Sequence, residues 1–288
     1  MTLDVLFFDV QHGSCAYIKT PNNRHVLHDL GSGSYQDGEE FSPIIYLKDQ
    51  LRKKGIDKLD KVIITHPHKD HIDDILNLDV LSPKSLHRPP QIPHDKIMEN
   101  VREEDKPIFE KYCQIDDRYC EPLSAENDLK NPMNTGGAVI RTFSPNSCSL
   151  NDFNSHSLVT TVSYAKSKIM LSGDNNPCSW RELLDDTDFK KELRGVDIFL
   201  TPHHGRESGW LEELFDYMQP KLTIVSDGKH HDTNATNRYS DVSSGWKVHS
   251  RSNGEQIERK CLTTRNDGII FVRLGIDNET PFIYVTIK

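Results

Sequence analysis

No apolar run in this 288-residue chain approaches the roughly 20 residues that a membrane-spanning helix needs. No internal repeat or low-complexity linker interrupts it either. The opening Met1-Thr2-Leu3-Asp4 places an acid where a signal peptide carries basic and apolar residues, so export is not expected and a cytoplasmic location is. An excess of positive charge is also missing. Lys and Arg number 35 against 44 Asp and Glu, a net charge of -9, so no global field draws in nucleic acid or an anionic membrane. Any polyanion has to be held locally. Cysteine is sparse, and Cys15, Cys113, Cys120, Cys148, Cys178 and Cys261 form no C-x-x-C pair, which fits reduced thiols without a metal role. Hydrophobic residues make up only 35%, with a mean hydropathy of -0.63, yet they gather in short runs, which argues for a folded, loop-rich protein.

Those runs are strand-like at Leu3–Val10, Cys15–Lys19 and His25–Leu30, with turn chemistry at Pro21-Asn22-Asn23. Ser42 before Pro43 is a helix-start signal, and Ile44, Leu47 and Leu51 keep helical spacing until Gly55. A short strand, Lys61–Thr65, follows. Residues 81–133, rich in Pro and charge, read as a surface excursion with a helix over Lys96–Tyr112. Strands are then expected at Ala138–Phe143, Leu158–Tyr164, Lys168–Leu171, Val196–Thr201 and Leu222–Ser226, with helices over Trp180–Leu193 and Trp210–Met218. This order suits two sheets covered by helices on their outer faces, within a single domain spanning 1–288.

Histidine is where the sequence is rich, with 14 residues. His66-Pro67-His68-Lys69-Asp70-His71 packs four potential ligands into six residues after an apolar strand. Imidazole and carboxylate together suit Zn, Mn or Fe, and a loop leaving a buried strand can aim alternate side chains at two adjacent ions. His66 and His68 would serve one metal, and Asp70 and His71 the other.

This H-x-H-x-D-H hexapeptide resembles the hallmark of the metallo-β-lactamase superfamily. More specifically, the chain resembles the ComEC-type hydrolase domain of competence proteins. Phe7 to Ile18 (F-F-D-V-Q-H-G-S-C-A-Y-I) is similar to that group's D-V-G-Q-G-D-A segment, and Leu27-His28-Asp29-Leu30-Gly31 to its I-D-x-G turn. Asn154 to Val159 matches N-x-x-S-L-V, Leu171 to Asp174 matches L-x-G-D, and Thr201 to Gly205 matches the H-H-G-S element with Arg206 in place of serine.

The resemblance implies an α/β fold, an αββα sandwich with a dinuclear site at one edge. Asp174 would then bridge two divalent ions, Zn or Mn. His204 would be a ligand, and His203 a substrate contact or the acid that protonates a leaving group. Asp70 would be both ligand and catalytic residue, and Asp29 would orient a ligand histidine. The chain departs from the pattern in two places. Where the superfamily has a further histidine for the first metal, Asn154 and His156 stand, so His156 is a candidate ligand and Asn154 a candidate substrate-side residue. A closing G-H-P element gives way to Lys229-His230-His231-Asp232, in which His231 is a candidate for contact with substrate or for support of a ligand. His12, His25, His28, His87, His94 and His249 lack comparable company and read as packing or surface residues.

Two cations sharing a water lower its pKa and neutralise charge on a scissile ester, so hydrolysis through a metal-bound hydroxide is the expected reaction. A phosphodiester gains most from such a clamp. The resemblance therefore implies a phosphodiesterase or nuclease acting on nucleic acid or a nucleotide, held by local contacts such as Lys69 and Arg206. Hydrolysis of a lactone, thioester or other carboxyl ester is the rival activity, and a catalytically silent partner-binding subunit the rival from another class. No membrane partner is expected, and the sequence names no protein partner.

Overall fold

The computed structural model describes residues 1–33, 41–228 and 233–288. Fifteen strands form two sheets among the described residues. The first eight in chain order are β1 (Thr2–Phe7), β2 (Ala16–Lys19), β3 (His25–His28), β4 (Lys61–Ile63), β5 (Leu86–His87), β6 (Val139–Phe143), β7 (Val159–Tyr164) and β8 (Ser167–Leu171). The others are β9 (Ile198–Leu200), β10 (Leu222–Val225), β11 (Trp246–Ser250), β12 (Gln256–Arg259), β13 (Cys261–Thr263), β14 (Ile270–Asp277) and β15 (Thr280–Ile287). One sheet runs β12-β11-β15-β14-β1-β2-β3-β4-β5 and the other β13-β10-β9-β8-β7-β6.

Alternation of side chains along the strands builds the layers. Leu3, Val5 and Phe7 of β1 meet Ile169 and Leu171 of β8 and Leu222 and Ile224 of β10 between the sheets. The intervening residues face outward: Val62 and Ile64 pack under α1 (Pro43–Arg52), while Met170 packs with Trp180 and Phe189 from the helices on the second sheet. The result is a four-layer αββα sandwich, as expected. No described helix is long and apolar enough to cross a membrane.

Several boundaries differ from expectation for local reasons. Ser42 does cap α1, its Oγ accepting from the Ile45 amide at 3.1 Å. The single helix expected over Lys96–Tyr112 is two, α2 aside (Lys69–Ile72): α3 (His94–Met98) and α4 (Lys106–Arg118). Glu99 turns extended after α3, and Pro107 opens α4. The helix expected over Trp180–Leu193 divides into α5 (Pro177–Asp185) and α6 (Thr187–Leu193) because Asp186 is extended and its carboxylate caps the second. Trp210–Met218 yields only a short 3₁₀ turn over Glu212–Asp216. The 81–133 segment is packed rather than purely superficial: Ile92, Ile97, Tyr112 and Ile115 are buried against the outer face of the first sheet.

The cysteines need a correction. Cys148 and Cys178, 30 residues apart, are joined by a disulfide with Cα atoms 6.4 Å apart, where reduced thiols were expected throughout. The loop after β6 folds over the start of α5, held by Glu182 accepting from the Asn146 and Ser147 amides, and this brings the two sulfurs together.

Candidate metal centre

The centre is assembled from loops leaving parallel strands at one edge of the sandwich. After β4 the chain bends at Thr65, passes through His66 to His68, and enters α2 at Lys69. Asp29 follows β3 in a left-handed conformation (φ 59°) that directs its carboxylate across to this loop. It accepts from the Thr65 amide (2.7 Å), from Thr65 Oγ1 (3.0 Å) and from His71 Nδ1 (2.8 Å). With Nδ1–H donating there, His71 offers Nε2 to the centre.

On the second sheet, β8 ends in Ser172-Gly173-Asp174. Gly173 (φ 55°) is wedged so closely that a Cβ would lie 2.8 Å from Ser157 and 2.9 Å from Thr65. Only glycine lets the two sheets approach here. The Asp174 amide donates to Ser157 Oγ at 3.0 Å, which sets the carboxylate beneath His71. After β9, His203 and His204 both take left-handed backbone (φ 49° and 53°), a conformation that non-glycine residues seldom hold in succession. His204 Nδ1 donates to the Ser226 carbonyl at 2.9 Å, so its Nε2 also faces inward.

Ligand atoms from Asp70, His71, Asp174 and His204 all lie within 4.8 Å of one another. His204 Nε2 is 3.1 Å from Asp70 Oδ2 and 3.5 Å from Asp174 Oδ2, and His71 Nε2 is 3.2 Å from Asp174 Oδ1. Burial alone would raise both carboxyls, but His71 and His204 outweigh it and hold Asp70 and Asp174 well below the usual carboxylate range. Burial likewise disfavours charge on the histidines, and there the carboxylates win: His71 lies well above its ordinary value and His204 is pushed up to about 9. Two nitrogens and two carboxylates, buried and converging, are a donor set that fits a divalent transition metal.

His66 is buried beside this cluster, its Nε2 4.0 Å from Asp174 Oδ2 and 3.0 Å from His68 Nδ1. Burial, with His71 and His68, holds its pKa well below the ordinary value. His68 is half-buried next to the Phe153 ring, facing a cavity of about 530 Å³ that Lys96, Asn100 and Asp152 also line. His203 is not in the cluster: its Nε2 accepts from Arg206 at 3.3 Å and its Nδ1 lies 2.8 Å from Ser208 Oγ. Burial lowers its pKa.

Other candidates stand apart. His156 is buried elsewhere, with Nδ1 accepting from Gln91 Nε2 (3.2 Å) and Nε2 donating to the Ser149 carbonyl (3.3 Å). Both ring nitrogens are committed away from the cluster. Asn154 is half-buried, and its Oδ1 has no hydrogen-bond partner among the described residues. His230 and His231 lie outside the described residues.

His12, read as a packing residue, joins the centre: Nε2 is 3.3 Å from Asp70 Oδ2, and its ring centroid is 4.5 Å from that of His204. Its neighbour Gly13 lies so close to the Asp70 carbonyl that a Cβ would come within 2.7 Å. A histidine beside a glycine within the D-V-Q-H-G-S segment was the available signal.

The family profile for the metallo-beta-lactamase superfamily matches residues 9–226. The chain is similar to Recombination protein 2 of Haemophilus influenzae, 25% identical over 228 residues, covering 79% of this chain and 24% of that protein. It is also similar to ComE operon protein 3 of Bacillus subtilis, 26% identical over 248 residues, covering 79% and 29% respectively. The chain thus spans about a quarter of the length of the curated relatives it matches. Among solved structures, Zn(2+)-bound PqqB from Methylobacterium extorquens is similar at 14% identity and a TM-score of 0.45, covering 91% of this chain and 86% of that one.

Proposed function

The chain belongs to the metallo-β-lactamase superfamily, whose members are generally metal-dependent hydrolases, and on that footing we propose that it is a phosphodiesterase acting on nucleic acid or a nucleotide. The observation that carries this reading is the buried convergence of Asp70, His71, Asp174 and His204, with His66 next to it and His68 at the wall of an open cavity. The name of one relative, Recombination protein 2, supports nucleic acid as the substrate class.

Asp70, His71, Asp174 and His204 would hold one divalent ion. His66 and His68, sharing Asp174, would hold a second, with Zn or Mn as the proposed metals. When bound, such ions acidify a water and offset charge developing on a phosphoryl group. The remaining work belongs to the chain. Asp29 and the Ser226 carbonyl fix the tautomers of His71 and His204, so that both Nε2 atoms are presented. Arg206 offers a guanidinium to a phosphate oxygen. In moving to the phosphate it would release His203 Nε2, which could then contact the substrate or carry a proton to the leaving oxygen.

Metal analysis combined with hydrolysis of bis-p-nitrophenyl phosphate, with Mn²⁺ or Zn²⁺ supplied, tests this reading. The chain should carry about two ions and cleave the diester. Asp70→Ala and Asp174→Ala should abolish cleavage without unfolding. His204→Ala should lose metal and all activity. His203→Ala should keep its metal and lose roughly 10²–10⁴-fold in rate, less for a leaving group that needs no proton. Efficient lactone hydrolysis with no diester cleavage would refute the assignment.

A further inference from the structure

A second cavity, of about 720 Å³, opens between the β4–β5 edge and the end of the 81–133 segment. It lies at the other end of β4 from the metal centre: Lys61 begins that strand, and the hexapeptide follows its C-terminal end. We propose that this cavity binds a small organic phosphate, with Lys61 as its principal cation.

Lys61 is only 6% exposed, lines the cavity, and makes no ion pair or hydrogen bond among the described residues. Burial pushes its pKa down to about 8, with Lys130 adding to the fall and Asp128 opposing it. The largely buried side chain thus presents its ammonium to the cavity without a protein partner among the described residues, and a bound anion there would offset the cost of its partial burial. Lys130, on the rim, also lacks an ion pair among the described residues. The other two cations of the lining are already engaged, Lys84 with Asp60 at 2.9 Å and Arg118 with Asp79 at 2.7 Å. Besides these pairs the lining holds Lys61 and Lys130 with Glu121 and Asp128, and neither of the two ammoniums is in contact with a carboxylate among the described residues. Two uncommitted ammoniums match a phosphomonoester, which carries about -1.5 to -2 at pH 7, better than a single carboxylate. Leu86 and Leu123 supply apolar wall for the organic part, and Leu123 is 40% exposed there, an unusual exposure for leucine.

Calorimetric titration of AMP into chelator-treated protein tests the site without phosphate binding at the metal centre. The unmodified chain should bind AMP, Lys61→Met should weaken it by about tenfold or more, Lys130→Met by less, and Asp174→Asn should leave it unchanged. Lys61→Met should retain diester hydrolysis when metal is restored. Inorganic phosphate should bind more weakly than AMP, and equal affinity would overturn the organic part of the assignment. Absence of AMP binding, an unaffected Lys61→Met, or loss in Asp174→Asn alone would overturn the whole. Should Lys61→Met fail to fold, acetic anhydride labelling of the unmodified chain replaces it: AMP should protect Lys61, and equal labelling with and without AMP would reject the site.

Discussion

Asp29 shows how one side chain can decide the chemistry of another. It takes no place among the converging donors, yet its Oδ2 holds the proton of His71 on Nδ1. Asp29→Asn keeps a residue type that tolerates φ 59°, but its amide would oppose an N–H to that nitrogen and favour the wrong tautomer. Metal affinity should fall about 10- to 100-fold with folding intact, measured by competition with a chromogenic chelator. An Asn variant with unchanged affinity would remove Asp29 from the centre's support. The protons of the centre lead to a second expectation. His71 and His204 are both held above their ordinary values by the neighbouring carboxylates, so both carry a proton at pH 7 in the metal-free chain. Binding Zn²⁺ should therefore release about two protons, and apparent affinity should rise with pH through the titration of His204 near 9. Titrations in buffers of different ionisation enthalpy count the protons, and a count of zero would contradict the assignment. At this scale the sequence was legible where the donors are contiguous, as in His66 to His71, or sit in short motifs at strand ends, as with Asp29, Asp174 and His204. His12 was hidden because 58 positions separate it from Asp70, and only the folding of the β1–β2 loop onto α2 joins them. The placing of His156 was not legible, since local composition cannot tell which way a buried ring points, and its two nitrogens bond Gln91 and the Ser149 carbonyl.

At the scale of elements, the start of α1 is tied to a buried acid. Asp74 accepts from Ser42 Oγ (2.7 Å), the Ile44 amide (2.9 Å) and Asn77 Nδ2 (2.8 Å), yet burial raises its pKa to about 6, with Asp73 adding to the rise. The folded pKa exceeds the unfolded one. The group's contribution is thus fully present below about pH 4 and is lost as pH rises through 6, costing roughly 3 kcal/mol by pH 7. Asp74→Asn should gain on the unmodified chain by roughly 2–3 kcal/mol between pH 4 and pH 7 in urea unfolding, and a constant difference would refute it. The disulfide is a second element-scale device. Closing a loop of 30 residues restrains the unfolded chain by roughly 3–4 kcal/mol, so reductant or Cys148→Ser should lower the melting temperature by several degrees while metal content stays the same. Identical melting with and without reductant would show that the bond contributes nothing. Caps and alternation made most elements legible before the structure, as Ser42 and the β8 run Ser167–Leu171 show. β14 and β15, absent from the expectations, carry a readable alternation, with Val272 and Leu274 inward and Arg273 outward on Asp4. β12 carries none, because Gln256, Ile257 and Glu258 are all exposed and the strand is held by pairing with β11 and by the Arg259–Asp267 ion pair at its end.

For the molecule as a whole, the question is how a chain of net charge -9 would hold a polyanion at a centre that itself contains carboxylates. Of the two cations that sequence reading places near the hexapeptide and the paired histidines, Lys69 is engaged with Asp105 at 2.7 Å. Among the described residues the Arg206 guanidinium is bonded only to a neutral imidazole, which makes it the better available phosphate contact. Nucleic acid would then be gripped through about one or two phosphates, and the logarithm of affinity should fall with that of salt at a slope of about -0.7 to -1.8. Between 50 and 200 mM KCl this is a loss of roughly 3- to 12-fold, against the 10³–10⁵ expected of a protein making six to ten phosphate contacts. The measurement is kcat/KM on a single-stranded oligonucleotide at both salt concentrations, with bis-p-nitrophenyl phosphate as the monoanionic control. Arg206→Ala should bring the two salt dependences together, because the contact that distinguishes the polymer from the small diester would be gone. A thousandfold loss for the oligonucleotide would mean that a basic track elsewhere on the chain binds it, and a salt dependence unchanged in Arg206→Ala would move the phosphate contact to another residue.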